Sequence, residues 1–455
     1  MNQSNGRNRL RRTKNAAWRG GFVLLLLLLV VSGTVSAQGA RTLSLQEAIN
    51  LGLQSSNTLK LSQAKIDQAI ARYNQTKDQA LPTGSIGYAY SHAEIPTTTF
   101  QLSDEAKPIY LPKRADAFIG TFSLQEVIFG GNRLRYAKES TNLLTQVARL
   151  DAEKDKEEII YNITNAYFNL YKLQQSTKVV EQNLQDVNRQ IKQAQRFFEQ
   201  GIVTKNDVLR FQLQRSNVEL TGVDLETNRK IVVYNLAIML GLPEDTDIAV
   251  NELQTPEALN ATLVTYIDSA LTNRQELKAL SLQSRIADNQ IKSVRAEKMP
   301  TVLASASAFY VNPSGAFVPA ATNYIAPMSV GATVAWNFDN LWLNKNKLGE
   351  AKIQKSQLEI NRNMAIDQVK TQVNQSYQGY LQAQEKVRIL ETAIEQAREN
   401  NRMLESQYHN KVASATERVD AETQLFQTLI NLELAKADAG LAYYTLLKST
   451  GNLTK

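Results

Sequence analysis

Two carboxylates late in the chain, Glu417 and Asp420, stand three residues apart, so on a helix they project from one face. Repeated about a symmetry axis, such a pair makes stacked rings of negative charge that repel one another and attract cations. On a lone helix the same pair is ordinary solvated charge. No comparable signal points to catalysis. The chain has 2 histidines and no cysteine. His92 falls in a predicted loop and His409 at a helix end, and they do not form a metal-spaced pair. The sequence contains no glycine-rich phosphate loop and no nucleophile elbow. The remaining Asp and Glu residues are scattered over long helical stretches, which is the pattern of solvent-facing charge. These features point away from an enzyme and require neither cofactor nor metal.

The helices that must position the acidic pair are unusually long. From Asn132 to Gln200 there are 69 residues without glycine or proline, a reach of ~104 Å as one helix, whereas globular helices average about three turns. Val180, Leu184, Val187, Ile191, Ala194 and Phe198 alternate steps of four and three, which is a coiled-coil seam. Gly201 then interrupts, Thr204 and Asn206 offer caps, and a second helix is expected over about 204–241, closing at Gly241-Leu242-Pro243. The spacing predicts a long helix over about 131–200 folded back on a shorter one.

The same plan recurs. Asn132-Arg133-Leu134 with Ala137-Lys138 answers Asn346-Lys347-Leu348 with Ala351-Lys352, and Leu81-Pro82-Thr83 answers Met299-Pro300-Thr301. This is an internal duplication. It divides the chain into a first repeat at 38–243, a linker at 244–262 and a second repeat at 263–455. The second repeat should carry a long helix over about 346–409, with a seam through Leu390, Ile394, Ala397, Leu404 and Tyr408, and a last helix over about 413–448.

Between helices the period changes from 3.6 to 2. Met328, Val330, Ala332, Val334, Trp336 and Phe338 alternate with small or polar residues, predicting a strand over about 328–338. Weaker alternations predict strands over about 83–91, 115–124 and 301–310. Four strands cannot close a membrane barrel, because such barrels need at least ~8 strands and tolerate no open edge in lipid. If the strands span a membrane, the chain must assemble. Helices of ~100 Å with no globular core beside them require neighbours for the same reason.

Charge and targeting signals agree with export. The formal charge of +7 resides almost wholly in residues 1–37, where Arg7, Arg9, Arg11, Arg12, Lys14 and Arg19 face no acid. The rest of the chain is near neutral and has no basic run, which argues against nucleic acid as a partner. The basic stretch precedes an apolar run from Phe22 to Val31 and then Val35-Ser36-Ala37. That order reads as a cleavable secretory signal over 1–37, with a mature start near Gln38.

The order of helix, strand pair, long helix, glycine turn and helix, given twice after a signal, resembles the TolC-type outer-membrane efflux and secretion factors over essentially the whole mature chain. The segment Phe198-Glu199-Gln200-Gly201-Ile202-Val203-Thr204-Lys205-Asn206-Asp207-Val208-Leu209 is similar to that family's helix-turn-helix tip, and Asn235–Gly241 to its helix end. The resemblance implies a mainly α fold with a small β part: long antiparallel coiled-coil helices forming an α-barrel, plus four strands per chain contributing to a trimeric 12-stranded transmembrane β-barrel. It also implies an outer-membrane location in a Gram-negative bacterium with a large periplasmic portion. The expected partners are two further copies (a homotrimer), a periplasmic adaptor (membrane fusion) protein, an inner-membrane pump of RND, ABC or MFS type, and outer-membrane lipid. The expected function is export of drugs, small toxic compounds or secreted proteins.

Within that resemblance Glu417 and Asp420 match the acidic constriction of the tunnel, and Asp207 and Tyr408 match positions that hold the tip closed. From the residues alone Asp207 is equally a helix-start acid favoured by the dipole, and Tyr408 a seam residue. The sequence departs from the family at Ala413, where an arginine often joins the lock, and at Lys411, which replaces a tip glycine. Lys411 and Arg418 are therefore the candidate substitutes in the closing network. The alternatives are a periplasmic coiled-coil scaffold or an adaptor protein without a pore. A scaffold has no use for the 328–338 alternation, and an adaptor needs a lipoyl-like all-β region that the sequence lacks.

Overall fold

The computed structural model describes residues 41–94, 99–110, 114–251, 261–313 and 325–453. The expected signal segment and residues 252–260 of the expected linker lie outside them. Two continuous helices dominate: α3 (Arg133–Glu199, 67 residues) and α7 (Asn340–His409, 70 residues), each roughly 100 Å long. Their partners are shorter. α4 (Lys205–Leu240) returns along the lower half of α3, and α8 (Ala415–Ser449) along the lower half of α7. The upper halves are covered by α2 (Asn57–Asp78) and α6 (Gln275–Ala296), each preceded by an 11-residue helix, α1 (Leu45–Ser55) and α5 (Leu263–Asn273).

The sequence reading treats each of these upper partners as one helix, but each is broken in the same way. Ser56 (φ −58°, ψ 116°) and Arg274 (φ −58°, ψ 125°) leave the helical region at equivalent points. At Ser56 the hydroxyl caps the next helix by accepting from the Leu59 amide. The first short helix, α1, packs against α3 and α4. There β1 (Arg41–Leu43) pairs in parallel with β6 (Ile248–Val250), and Leu43, Ile163, Tyr167, Leu170, Leu236, Leu240 and Ile248 form the main core. The Tyr167 hydroxyl donates to the Leu43 carbonyl at 3.0 Å. At Gly241 the chain turns with φ +68°, and a Cβ would lie 2.5 Å from that of Ser55, so glycine is required for both conformation and space.

A four-stranded antiparallel sheet stands at the far end of the long helices, in the order β2 (Thr83–Glu94), β5 (Arg114–Phe129), β7 (Thr301–Pro313), β8 (Met328–Ala335). A short hairpin of β3 (Thr99–Phe100) and β4 (Ile109–Tyr110) lies between β2 and β5. The first three main strands run longer than their sequence signals, and the fourth stops three residues short of 338. α7 correspondingly begins at Asn340 rather than 346, with Asp339 accepting from the Asn340 amide at 3.0 Å. The single chain leaves β2 and β8 as open edges.

Candidate functional site

The helix tips opposite the sheet are two copies of one turn. After α3, the Gly201 amide donates to the Phe198 carbonyl (2.9 Å) and the Ile202 amide to Phe197 (2.8 Å). After α7, Lys411 donates to Tyr408 (3.0 Å) and Val412 to Gln407 (2.8 Å). This is the Schellman pattern, whose turning residue sits in the left-handed region. Gly201 has φ +70°, and Lys411 has φ +66° despite its side chain. Lys411 thus takes the left-handed position that Gly201 holds in the first tip, and the turn is the same.

The helix that leaves each turn is capped reciprocally. The Thr204 amide and hydroxyl each donate to Asp207 Oδ2 at 2.8 Å, and the Thr204 Oγ1 accepts from the Asp207 amide. The Ser414 amide and hydroxyl donate to Glu417 Oε2 at 2.8 and 2.9 Å, and the Ser414 Oγ accepts from the Glu417 amide. Both are capping boxes. Asp207 and Glu417, which the sequence reading gives different roles, are therefore equivalent residues that close the first turns of α4 and α8. The hydrogen bond from the Ser414 amide, followed by that from its hydroxyl, holds the Glu417 carboxyl below the usual carboxylate range. Glu417 remains exposed, as does Asp420 one turn further along α8.

Tyr408 is buried, at 7 % exposure, in the small core where the two tips meet: Ala194 from α3, Val208 and Phe211 from α4, and Ala415 from α8. Its ring lies 5.7 Å from Phe211 and 6.0 Å from Phe197, centroid to centroid. The hydroxyl is buried with no hydrogen-bond partner among the described residues. Burial first, and the nearby Asp207 carboxylate second, make the phenol a weaker acid, with Arg418 opposing. Asp207, Tyr408 and Arg418 are thus brought together, whereas Lys411 stays on the exposed outside of its turn.

Arg418 points away from the acidic pair, into the protein. Its guanidinium bonds to Glu422 at 3.2 Å, with both side chains only 4 % exposed, and also to Asn401. Glu422 in turn accepts from Asn183 (2.7 Å) and Gln190 (3.1 Å) on α3. This network ties α8 to both long helices just above the tips. Its members Asn183, Gln190, Asn401 and Glu422 went unnoticed in the sequence. The i,i+4 spacing of Arg418 and Glu422 is the visible signal for the pair, but nothing local announces its burial.

The sheet is one-sided. Directly opposed residues share a face, so the register places Ile86, Phe122, Ala308 and Met328 together, and likewise Leu124, Ala306 and Val330. This face is apolar and open, with Ile86 at 84 % and Val330 at 88 % exposure. The other face carries at mid-sheet small and hydroxyl side chains that bond across strands, Ser85 with Ser123 and Ser307 with Ser329, both at 2.8 Å, with Phe309 and Ile119 towards one end of the strands and Val127 and Leu303 towards the other. An apolar outside and a polar inside with period two is the arrangement of a strand in a membrane barrel. No described helix is long and apolar enough to cross a membrane.

Comparison with known proteins agrees with this geometry. The family described as outer membrane efflux protein matches residues 48–242 and again 266–452. The outer membrane efflux protein BepC of Brucella suis is 21 % identical over 441 residues, covering 95 % of this chain and 90 % of BepC. Among solved structures, the outer-membrane channel OprN superposes with a TM-score of 0.74 at 17 % identity, covering 90 % of each chain. The outer membrane protein VceC of Vibrio cholerae gives 0.73 at 17 % identity, covering 90 % of this chain and 96 % of VceC. A mostly helical chain, matched in both repeats by one family, belongs to the outer membrane efflux protein family: it is an efflux component of the outer membrane with a large periplasmic part, and not an enzyme.

Proposed function

We propose that three copies of this chain assemble into a continuous export duct, with a 12-stranded barrel in the outer membrane and a helical tunnel through the periplasm. The observation that carries this reading is the open four-stranded sheet, apolar and bare on one face and unpaired at β2 and β8. In lipid those edges must be paired, and a second and third copy of the same sheet supply the partners. The same assembly surrounds the long helices with neighbours. The duct receives cargo from a periplasmic adaptor and an inner-membrane pump of RND, ABC or MFS type, which supplies the energy. Drugs, small toxic compounds or secreted proteins are the cargo classes.

At the tips, Glu417 and Asp420 form the narrow acidic rings, and the Tyr408 core with Asp207 and the Arg418 network holds the rings together in the resting state. Lys411, set on the outside of its turn, contributes through backbone shape alone. The test combines native mass spectrometry of detergent-purified protein with planar-bilayer conductance. The proposal expects a trimeric mass and discrete channels blocked by divalent cations from the periplasmic side. A monomer that stays soluble without detergent and opens no conductance would establish the scaffold reading instead.

A further inference from the structure

The face of the sheet opposite the open apolar one changes character along the strands, and the change has the chemistry of a binding wall. At mid-sheet one row is serine on all four strands: Ser85 opposes Ser123, Ser123 opposes Ser307, and Ser307 opposes Ser329. They bond in pairs, Ser85 with Ser123 and Ser307 with Ser329. A serine pair joined by one hydrogen bond keeps a second hydroxyl hydrogen and free lone pairs, so each pair can still bond an incoming polar group. Among the described strand residues on this face none is charged, whereas the opposite face carries Glu126, His92 and Asp116.

Two rows farther from the helices the same face is apolar right across. Ala89 opposes Ile119, Ile119 opposes Val311, and Val311 is bridged to Ile325. In the row between, Phe309 opposes Thr121, and Thr121 opposes Gly87. Those two residues are too small to cover the ring, so Phe309 stays 49 % exposed, and Ile325 is 57 % exposed. Strands rise about 3.4 Å per residue, which puts the apolar row about 14 Å beyond the serine row. A molecule with an apolar body and one polar end can touch both rows at once.

We propose that this end of the duct wall is a binding belt for amphipathic cargo, whose apolar body lies on Ile119, Phe309, Val311 and Ile325 while its polar end bonds to the serine row. The belt rests on the barrel reading above, which turns this face toward the lumen and repeats it in each copy, and it names the cargo class within that reading. Charged rings select ions by sign. A wall without charge cannot do so; it sorts cargo by apolar area, because contact with these side chains removes hydrocarbon from water.

Single-channel recording of the full-length protein in planar bilayers tests the belt. Alkylammonium and alkylsulfonate ions of matched and increasing chain length are added on the side away from the helical tunnel. Each added methylene should lengthen block about twofold, below the roughly fourfold of complete burial, and equally for both head charges. Phe309→Ser with Ile325→Ser should keep the conductance and lose the dependence on chain length, whereas Phe309→Leu should retain it. If the double variant does not assemble, Ile325→Ser alone, at an exposed position just before β8, should weaken the dependence by about half. Block that follows the sign of the head and not the length of its chain, or a chain-length dependence unchanged in the serine variants, would overturn the belt and leave the barrel standing. A parent protein that forms no channels would overturn both.

Discussion

Glu417 has two roles, and they separate by substitution. As a carboxylate it contributes charge to the tip, and as a hydrogen-bond acceptor it closes the capping box with Ser414. Gln retains the second role and removes the first. Glu417→Gln combined with Asp420→Asn should therefore weaken periplasmic block by divalent cations while costing the tip only the charge-assisted part of the cap, whereas Glu417→Ala should loosen α8 further; conductance titrations and amide exchange at the tip distinguish the two effects. Because hydrogen bonds hold the folded Glu417 carboxyl below its usual range, the cap is fully formed above the ordinary carboxylate range. Its charge-assisted part is lost as pH falls through the lowered value, so tip amides should exchange faster in acid. The turning residues permit a second comparison. Nothing lies within 4 Å of a Cβ built on Gly201, so Gly201→Ala should cost only the backbone term, about 1–2 kcal/mol. Lys411 already bears that strain, and Lys411→Gly should slow exchange at its tip by a stabilisation of about 1 kcal/mol or less.

At the scale of elements, much was legible and the misses have physical causes. A run free of glycine and proline predicts α3, because continuity of a helix is a local property, and the repeated pattern predicts α7, which carries Gly349 and Gly379. Residue alternation likewise places the four main strands. The alternation overran β8, since Trp336 and Phe338 keep the period after the ladder has ended. The β1–β6 pair was illegible because three-residue strands gain order only from a partner about two hundred positions away. The box Ser414-Ala415-Thr416-Glu417 was readable as a cap, yet the acidic pair drew the reading toward charge alone. Burial of Arg418 and Glu422 depends on α3 and α7 packing against α8, which neither residue's neighbours in sequence reveal. That burial makes a prediction about the lower coiled coil. Glu422→Ala leaves the buried guanidinium only Asn401 and, at 4.0 Å, the exposed Glu405, and should destabilise by about 3–5 kcal/mol, while Arg418→Met with Glu422→Leu should restore most of the loss. Thermal melts of the detergent-solubilised protein report both, and equal damage from the single and double variants would show that the pair is not the buried unit described.

For the whole molecule, the decisive question is which face of the sheet meets lipid, because that choice fixes the inside of the duct and the direction in which the chains must close. Val330 and Gly331 are adjacent on β8 and point to opposite faces, opposite Ala306 and Ser305 of β7. A charge placed on the lipid face near mid-membrane costs roughly 2–4 kcal/mol, whereas one facing the lumen costs little and alters selectivity. Val330→Arg should therefore reduce assembled trimer in the outer membrane, measured by heat-modifiable migration and fractionation. Gly331→Arg meets no atom within 4 Å of its Cβ; it should assemble normally and shift single-channel conductance and ion preference. The reverse outcome would turn the sheet inside out. If both variants assembled and conducted as the parent does, neither face would be in lipid and the duct would have to be formed by the helices alone. The comparison uses one strand, one depth and one substituted residue type, so a difference between the variants reports the face and not general damage to the fold.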